Sequence, residues 1–278
     1  MSWAKFNRLS SSKDLSIFRR GTTASDGGGG GGGNDPDAQA YIDALDAAGY
    51  TVSGAEETAI NTFVLDLKAD GIWTKSKAIY PFIGGTAATH KFNLKDPRDL
   101  DAAFRLTFFG GWTHSATGAL PNGTNGYAQT YLDPSTDLPE DSESMGIYLR
   151  TTNSNNEAAI ANGINFQLFT TYLNKYWTSI NGWGPLTPDV ADSLGLAHAG
   201  IDGSEFNVFK NGVKIAQMPV DTSKANPAGQ ITLATRASAF YLSKEIAFAH
   251  LSESVTDTEA TDLYNNVQAL QTALNREV

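Results

Sequence analysis

The sequence predicts a mainly β protein, a two-layer sandwich or jelly roll with helices at both ends. Short apolar runs recur between about residues 72 and 250, with no long helical pattern between them. Turn dipeptides punctuate these runs: Asn122-Gly123, Asn125-Gly126, Asn162-Gly163, Asn181-Gly182 and Asn211-Gly212. Helical periodicity is confined to the stretches on either side.

The chain opens with a Ser-rich, basic segment, residues 1–26. Lys5, Arg8, Lys13, Arg19 and Arg20 stand against Asp14 alone, so residues 1–20 carry a net +4 on a chain of net −10. Trp3, Phe6, Leu9, Leu15, Ile17 and Phe18 are interleaved with the cations. Solvated tails are poor in such anchors. The segment is therefore read as a docking arm carried by Trp3, Phe6, Arg8, Leu9, Leu15, Ile17, Phe18, Arg19 and Arg20, with a plain disordered terminus as the alternative on composition. Seven consecutive glycines, Gly27 to Gly33, form the linker over 27–35. No Lys-Ser/Thr follows them, so they do not make a phosphate-binding loop.

A helical pair is expected over 36–71. Asp35 caps the first helix with Pro36 at its first position, Tyr41, Ile42 and Leu45 share a face, and Gly49 ends it. Ser53 and Glu56 make a capping box for the second, whose stripe is Ile60, Phe63, Val64 and Leu67, with Gly71 after it. Ile72 and Trp73 are placed to plug the gap between this pair and a sheet.

The sandwich is expected over 72–255, with strands near 79–83, 89–94, 101–109, 126–132, 145–151, 163–170, 172–180, 194–201, 204–210, 213–218, 229–234 and 239–251. Phe206, Val208 and Phe209 before Asn211-Gly212, with Val213 and Ile215 after it, specify a hairpin with a type I′ turn. A closing helix over 256–278 has a capping box at Thr256 and Glu259, with a stripe of Ala260, Leu263, Tyr264, Val267, Leu270 and Leu274. Each amphipathic helix must bury its stripe on the body or on another subunit, and a homo-oligomer, a trimer among the closed forms, is one expectation.

Two stretches resemble known families. Phe206 to Lys214, and Ile246 to Glu259 followed by Tyr264-Asn265, resemble the closing hairpin, strand and helix of concanavalin A-like (laminin G-like) jelly rolls. Leu67 to Trp73, Ile79 to Pro97 and Phe108 to His114 are similar to a block in structural proteins of tailed bacteriophages. The resemblances imply a concanavalin A-like sandwich in a virion tail, fibre or capsid-surface protein. Such a protein would be made in the host cytoplasm and held to other virion proteins by its arm.

Chemistry is sparse. No cysteine is present, which excludes disulfides and thiolate metal sites. The acidic body argues against nucleic-acid partners, and no apolar run is long enough to span a membrane. Glycosidases need two carboxylates about 5–9 Å apart, and the Glu-x-Asp-x-x-Glu pattern of glucanases resembling this fold is missing. The densest acidic cluster, Glu140-Asp141-Ser142-Glu143, reads as solvated loop charge rather than as a catalytic pair. His90, His114, His198 and His250 lack metal-site spacing, with His90 and His250 in strand-like segments, and no Gly-x-Ser-x-Gly elbow occurs. The expectation is therefore no enzyme and no required cofactor. Calcium has loop candidates in Asn122, Asn125, Asp133 and Asp137, or Asp202 and Glu205, but Asn and Asp are also the preferred turn residues.

The alternative to a structural virion role is a carbohydrate-binding receptor module for a host-surface glycan, and a glycan-degrading enzyme is a second alternative. Trp112, Tyr127, Trp177 and Trp183 supply rings for a sugar, with Trp183 and Trp112 chosen as ligand or subunit contacts. One of Tyr176 and Trp177 must face the core, because side chains alternate along a strand.

Overall fold

The computed structural model describes residues 33–278 except 183, 185, 186 and 222, so the arm over 1–26, most of the linker and Trp183 lie outside the described residues. Helices α1 (Pro36–Ala47) and α2 (Gly54–Ala69) form as the caps require: Asp35 Oδ1 accepts from the Asp37 amide, and Ser53 and Glu56 close a reciprocal box. Gly49 and Gly71 end them at φ 87° and 75°. A single turn, α3 (Ile72–Lys75), follows, and Ile72 and Trp73 are buried in the seam as expected.

Among the described residues fourteen strands then build two antiparallel sheets. They are β1 (Ser76–Tyr80), β2 (Thr107–Phe109), β3 (Trp112–Ser115), β4 (Gly118–Pro121), β5 (Tyr127–Gln129), β6 (Ser144–Leu149), β7 (Glu157–Asn162), β8 (Phe166–Tyr172), β9 (Lys175–Ile180), β10 (Gly195–Asp202), β11 (Glu205–Lys210), β12 (Val213–Pro219), β13 (Thr232–Leu233) and β14 (Ile246–Ser252). The eight-stranded sheet runs β12-β11-β10-β6-β14-β4-β3, with β1 paired to β14; the six-stranded sheet runs β2-β5-β13-β7-β8-β9. Helices α4 (Ala87–His90) and α5 (Pro134–Asp137) are short turns, and α6 (Asp257–Ala273) closes the chain behind its predicted Thr256–Glu259 box.

Alternation sorts the side chains into layers. Met145, Ile147 and Leu149 of β6, Ala197, Ala199 and Ile201 of β10, and Ala249 and Leu251 of β14 meet Ile160, Leu168, Tyr176 and Leu233 between the sheets. The opposite faces of the same strands present Tyr148, Leu196 and Phe248 to Tyr41, Leu45, Phe63, Leu67, Leu263 and Leu270 of the helices. At roughly 1.5–3 kcal/mol for each fully buried large apolar side chain, this second cluster pins all three long helices to the eight-stranded sheet. The helical stripes are thus covered within one chain.

Several sequence expectations need correction. No strand spans 89–94: Thr86 caps a helical turn that ends at His90, so His90 is helical, and only an Asn93–Asp96 bridge follows. The run 101–109 begins as a 3-10 turn, Asp101–Ala103, and Phe104 at φ 56° delays the strand until Thr107. The stretch 239–251 is a loop until Ile246. Strands β3, β4 and β7 were not foreseen, because Thr113-His114 and Glu157-Ala158-Ala159 lack the large apolar residues that mark a strand. The Asn211-Gly212 hairpin forms as expected, at φ 50° and 74°.

Candidate functional site

The helices occupy the outer face of the eight-stranded sheet. The outer face of the six-stranded sheet carries none of the three long helices, and its residues form ordered rows. Thr107, Gln129, Thr232, Ala161, Gln167 and Ser179 are successive cross-strand partners over all six strands. The neighbouring row faces inward through Phe108, Ala128, Leu233, Ile160 and Leu168. The row is small and mostly polar: Thr107, Gln129 and Thr232 are half-buried, Ala161, Gln167 and Ser179 are buried, and aromatic rings lie near each edge.

At one edge Phe109 stacks on Tyr127, centroids 4.9 Å apart and planes at 14°. At the other, Phe169 and Trp177 are cross-strand partners with centroids 5.3 Å apart, and Trp177 lies 4.6 Å from Tyr172. The β8–β9 hairpin sets this up. Leu173 and Asn174 at φ 51° and 64° make a two-residue turn that brings Tyr172 opposite Lys175. Tyr176 goes into the core and Trp177 outward, which settles the alternation left open by the sequence.

Arg236 lies across these rings. Its guanidinium carbon is 4.3 Å from the Phe240 centroid, 5.0 Å from Phe169 and 5.3 Å from Trp177. Nη1 donates to Gln167 Oε1 at 3.0 Å. Arg236 and Phe240 are presented by a tight turn in which Arg236 and Ala239 exchange both backbone hydrogen bonds, at 3.0 and 2.9 Å. Its two central residues, Ala237 and Ser238, have φ 50° and 56°, and Phe240 has φ 54°. Left-handed backbone costs a non-glycine residue roughly 1–2 kcal/mol, and such strain collects at ligand clamps. The Ala158 amide fixes Phe240 by donating to its carbonyl at 2.9 Å. Phe240 is 38% exposed, while Trp177, Tyr172 and Arg236 are half-buried.

Past the rings, Lys244 is fully buried and donates to Thr171 Oγ1 at 2.7 Å, 3.6 Å from Glu157. Burial pulls its ammonium down to about 8, with Glu157 opposing that shift. Glu157 also accepts from Asn155 Nδ2 and from the Ser243 hydroxyl.

Of the residues singled out from sequence, Trp112 is half-buried, and its indole N–H donates to the carbonyls of Phe109 and Tyr127 at 3.0 and 3.3 Å. It packs against Phe108 and His114. The docking-arm residues and Trp183 lie outside the described residues. Glu143 departs from the expected solvated loop: it is fully buried at the start of β6, accepts from Asn181 Nδ2 at 3.4 Å, and burial pushes its carboxyl up to about 7. Glu140 remains exposed. The histidines are less scattered than their spacing suggests. His90 Nδ1 and His114 Nδ1 share a hydrogen bond of 2.9 Å, and His198 and His250 flank Gly146 across three strands. Both members of the latter pair are buried, His250 bonding Ser76 Oγ at 2.9 Å.

Asn122 Oδ1 accepts the amides of Thr124, Asn125 and Gly126, Asn125 Oδ1 accepts that of Gly111, and Asp133 and Asp137 cap α5. Asp202 and Glu205 face each other across the β10–β11 turn. Among the described residues no three His, Asp or Glu side chains gather where they could hold a metal ion.

The two antiparallel sheets, with the long helices packed on the outer face of one of them, form a β-sandwich of concanavalin A-like fold. No known family profile matches the chain, and no curated protein matches it. Solved structures are similar to it in part. A Trypanosoma rangeli sialidase in complex with 2,3-difluorosialic acid aligns over 75% of this chain at a TM-score of 0.50 and 8% identity, which spans 38% of the sialidase chain. Domain 4 of AbnA, an arabinanase from Geobacillus stearothermophilus solved with arabinotriose, aligns over 68% of this chain and 98% of its own at 0.46 and 15% identity. The binding domain of botulinum neurotoxin DC in complex with SialylT aligns over 60% of this chain and 47% of its own at 0.45 and 14% identity.

Sequence reasoning missed Arg236 and Phe240. They lie within stretches read as strand at 229–234 and 239–251, or between them, and the turn that exposes them contains neither Gly nor Asn. Trp177 was legible, because strand alternation had to send either it or Tyr176 outward.

Proposed function

We propose that this chain is a non-catalytic carbohydrate-binding module whose binding face is the outer surface of the six-stranded sheet. The observation that carries the reading is the ledge of Trp177, Tyr172 and Phe240 around Arg236, on the same sheet face as the half-buried Gln129 and Thr232. Sugar rings stack their C–H faces on aromatic planes, and their hydroxyls need neighbouring amides and hydroxyls; the face offers both. The non-catalytic reading is supported by Glu143. It is sealed away from solvent, which removes it from the carboxylates of the acidic loop that a glycosidic bond could reach.

A glycan array probed with the full-length chain and with Trp177→Ala tests this. Binding by the parent that the variant loses by at least tenfold supports the reading. A parent that binds no glycan, or a variant that binds equally well, overturns it.

We further propose that the module works as a structural or adhesive part of a tailed-phage virion. The supporting observation is the block resembling phage structural proteins, whose Trp73, Ile79, Tyr80, Phe82 and Phe92 are buried where α3 and β1 join the helices to the sheet. In this reading residues 1–26 dock the module to other virion proteins. Attachment of the full-length chain, but not of a chain lacking residues 1–33, to virions deprived of it is the expected result. Equal attachment of both would reject the docking role.

A further inference from the structure

Arg236 differs from the other described arginines. Arg98, Arg105 and Arg150 pair with Asp96, Asp99 and Glu245. Arg276 is buried among backbone carbonyls. Among the described residues Arg236 has Gln167 as its side-chain hydrogen-bond partner and no carboxylate within ion-pair distance. The nearby cations are already engaged: Lys175 pairs with Asp189 at 2.5 Å, and Lys244 is buried against Thr171 and Glu157.

A guanidinium has five N–H donors in a planar fork, and Gln167 takes one of them. Three aromatic faces within 5.3 Å fix its plane, and the strained turn at Ala237-Ser238 fixes its backbone. The fork is therefore preorganised, half-buried and without a counter-charge, next to the ring on which a sugar would lie. Its geometry matches a carboxylate, which can accept two parallel N–H bonds.

We propose that Arg236 makes this face selective for carboxylate-bearing sugars, uronic or sialic acids, with the pyranose on Trp177 and the carboxylate on the guanidinium. The proposal rests on the carbohydrate-binding reading above and names the ligand class of that same site. The acidic body, with its net charge of −10 for the whole chain, repels polyanions at long range. Selectivity therefore comes from this contact and not from bulk attraction.

The test is an array and titration calorimetry on the full-length chain with matched ligands: α-1,4-digalacturonate against α-1,4-galactobiose, and 3′-sialyllactose against lactose. At least one acidic ligand is expected to bind tenfold or more tightly than its neutral partner, and the arm that does so identifies the sugar. Arg236→Gln is expected to abolish that preference, lowering acidic affinity at least tenfold more than neutral affinity. Arg236→Lys, which keeps the charge but not the fork, is expected to keep part of it and serves as the folded control. Equal binding of acidic and neutral ligands overturns the inference. So does an Arg236→Gln variant that weakens both alike, in which case Arg236 merely props the rings and the carbohydrate-binding reading survives. Failure to bind any glycan on the array overturns both.

Discussion

Arg276 Nη1 donates to the carbonyl oxygen of Phe82 at 2.9 Å, fastening the last residues of the chain to the segment that leaves β1. Nη2 reaches the carbonyls of Pro81 and Ala247 at 2.5 and 3.2 Å. The side chain is buried without a carboxylate partner, and desolvation lowers its guanidinium to about 10. Three backbone carbonyls thus accept the hydrogen bonds of a buried cation, and they in turn depend on it.

Replacing Arg276 with Met leaves those three carbonyls without their donor. At roughly 1–3 kcal/mol for a buried polar group left unpaired, a loss of about 2–4 kcal/mol is expected. Chemical denaturation of the variant measures it, and an unchanged midpoint would show that the latch contributes nothing.

The Lys244–Glu157 pair behaves differently, because both partners are charged and almost completely buried. Lys244→Met strands the Glu157 carboxylate and should cost about 3–5 kcal/mol, whereas the double variant Lys244→Met/Glu157→Gln should recover most of that. The comparison is a double-mutant cycle in denaturant. Equal losses in the single and double variants would mean that the cost is packing and not charge.

Glu143 makes stability fall as pH rises. Its folded-state carboxyl is raised from 4.5 to about 7 by burial, so its contribution is fully present below 4.5 and is lost as pH rises through 7. Glu143→Gln should keep the neutral form at every pH and flatten that decline. Thermal unfolding between pH 5 and 8 measures the slope, and a variant as pH-sensitive as the parent in this window would rule Glu143 out as the cause.

The buried histidines act in the opposite sense. Desolvation lowers His198 to about 4 and His250 to about 3, so their contribution is present above 6.5 and is lost as pH falls towards these values. Neither ring nitrogen of His198 has a hydrogen-bond partner. His198→Leu should therefore reduce acid destabilisation between pH 6.5 and 4 at little cost near pH 7. A loss of more than about 3 kcal/mol at pH 7, a typical price for a badly fitting core residue, would mean that the imidazole shape itself is required.

Much of the fold is local in origin, which is why it could be read in advance. Asp35-Pro36, the Ser53–Glu56 box and the Thr256–Glu259 box fix helix starts through hydrogen bonds within a few residues. Asn211-Gly212 fixes a hairpin because both residues tolerate positive φ. Strand alternation fixed that one of Tyr176 and Trp177 must face outward.

What only the tertiary structure decided lies between residues far apart in the chain. Whether the helical stripes met another subunit or their own sheet depended on the outer faces of β6, β10 and β14, where Tyr148, Leu196 and Phe248 are apolar on the side away from the core. The polar row from Thr107 to Ser179 exists only through the pairing register of six strands. Arg236 meets Phe169, 67 positions earlier, through a turn of Ala and Ser whose left-handed backbone their own preferences oppose. Local propensity fixes caps, turns and alternation, because those energies act within a few residues. The proposed binding face depended on long-range packing overriding that propensity, so it could not be read from the chain alone.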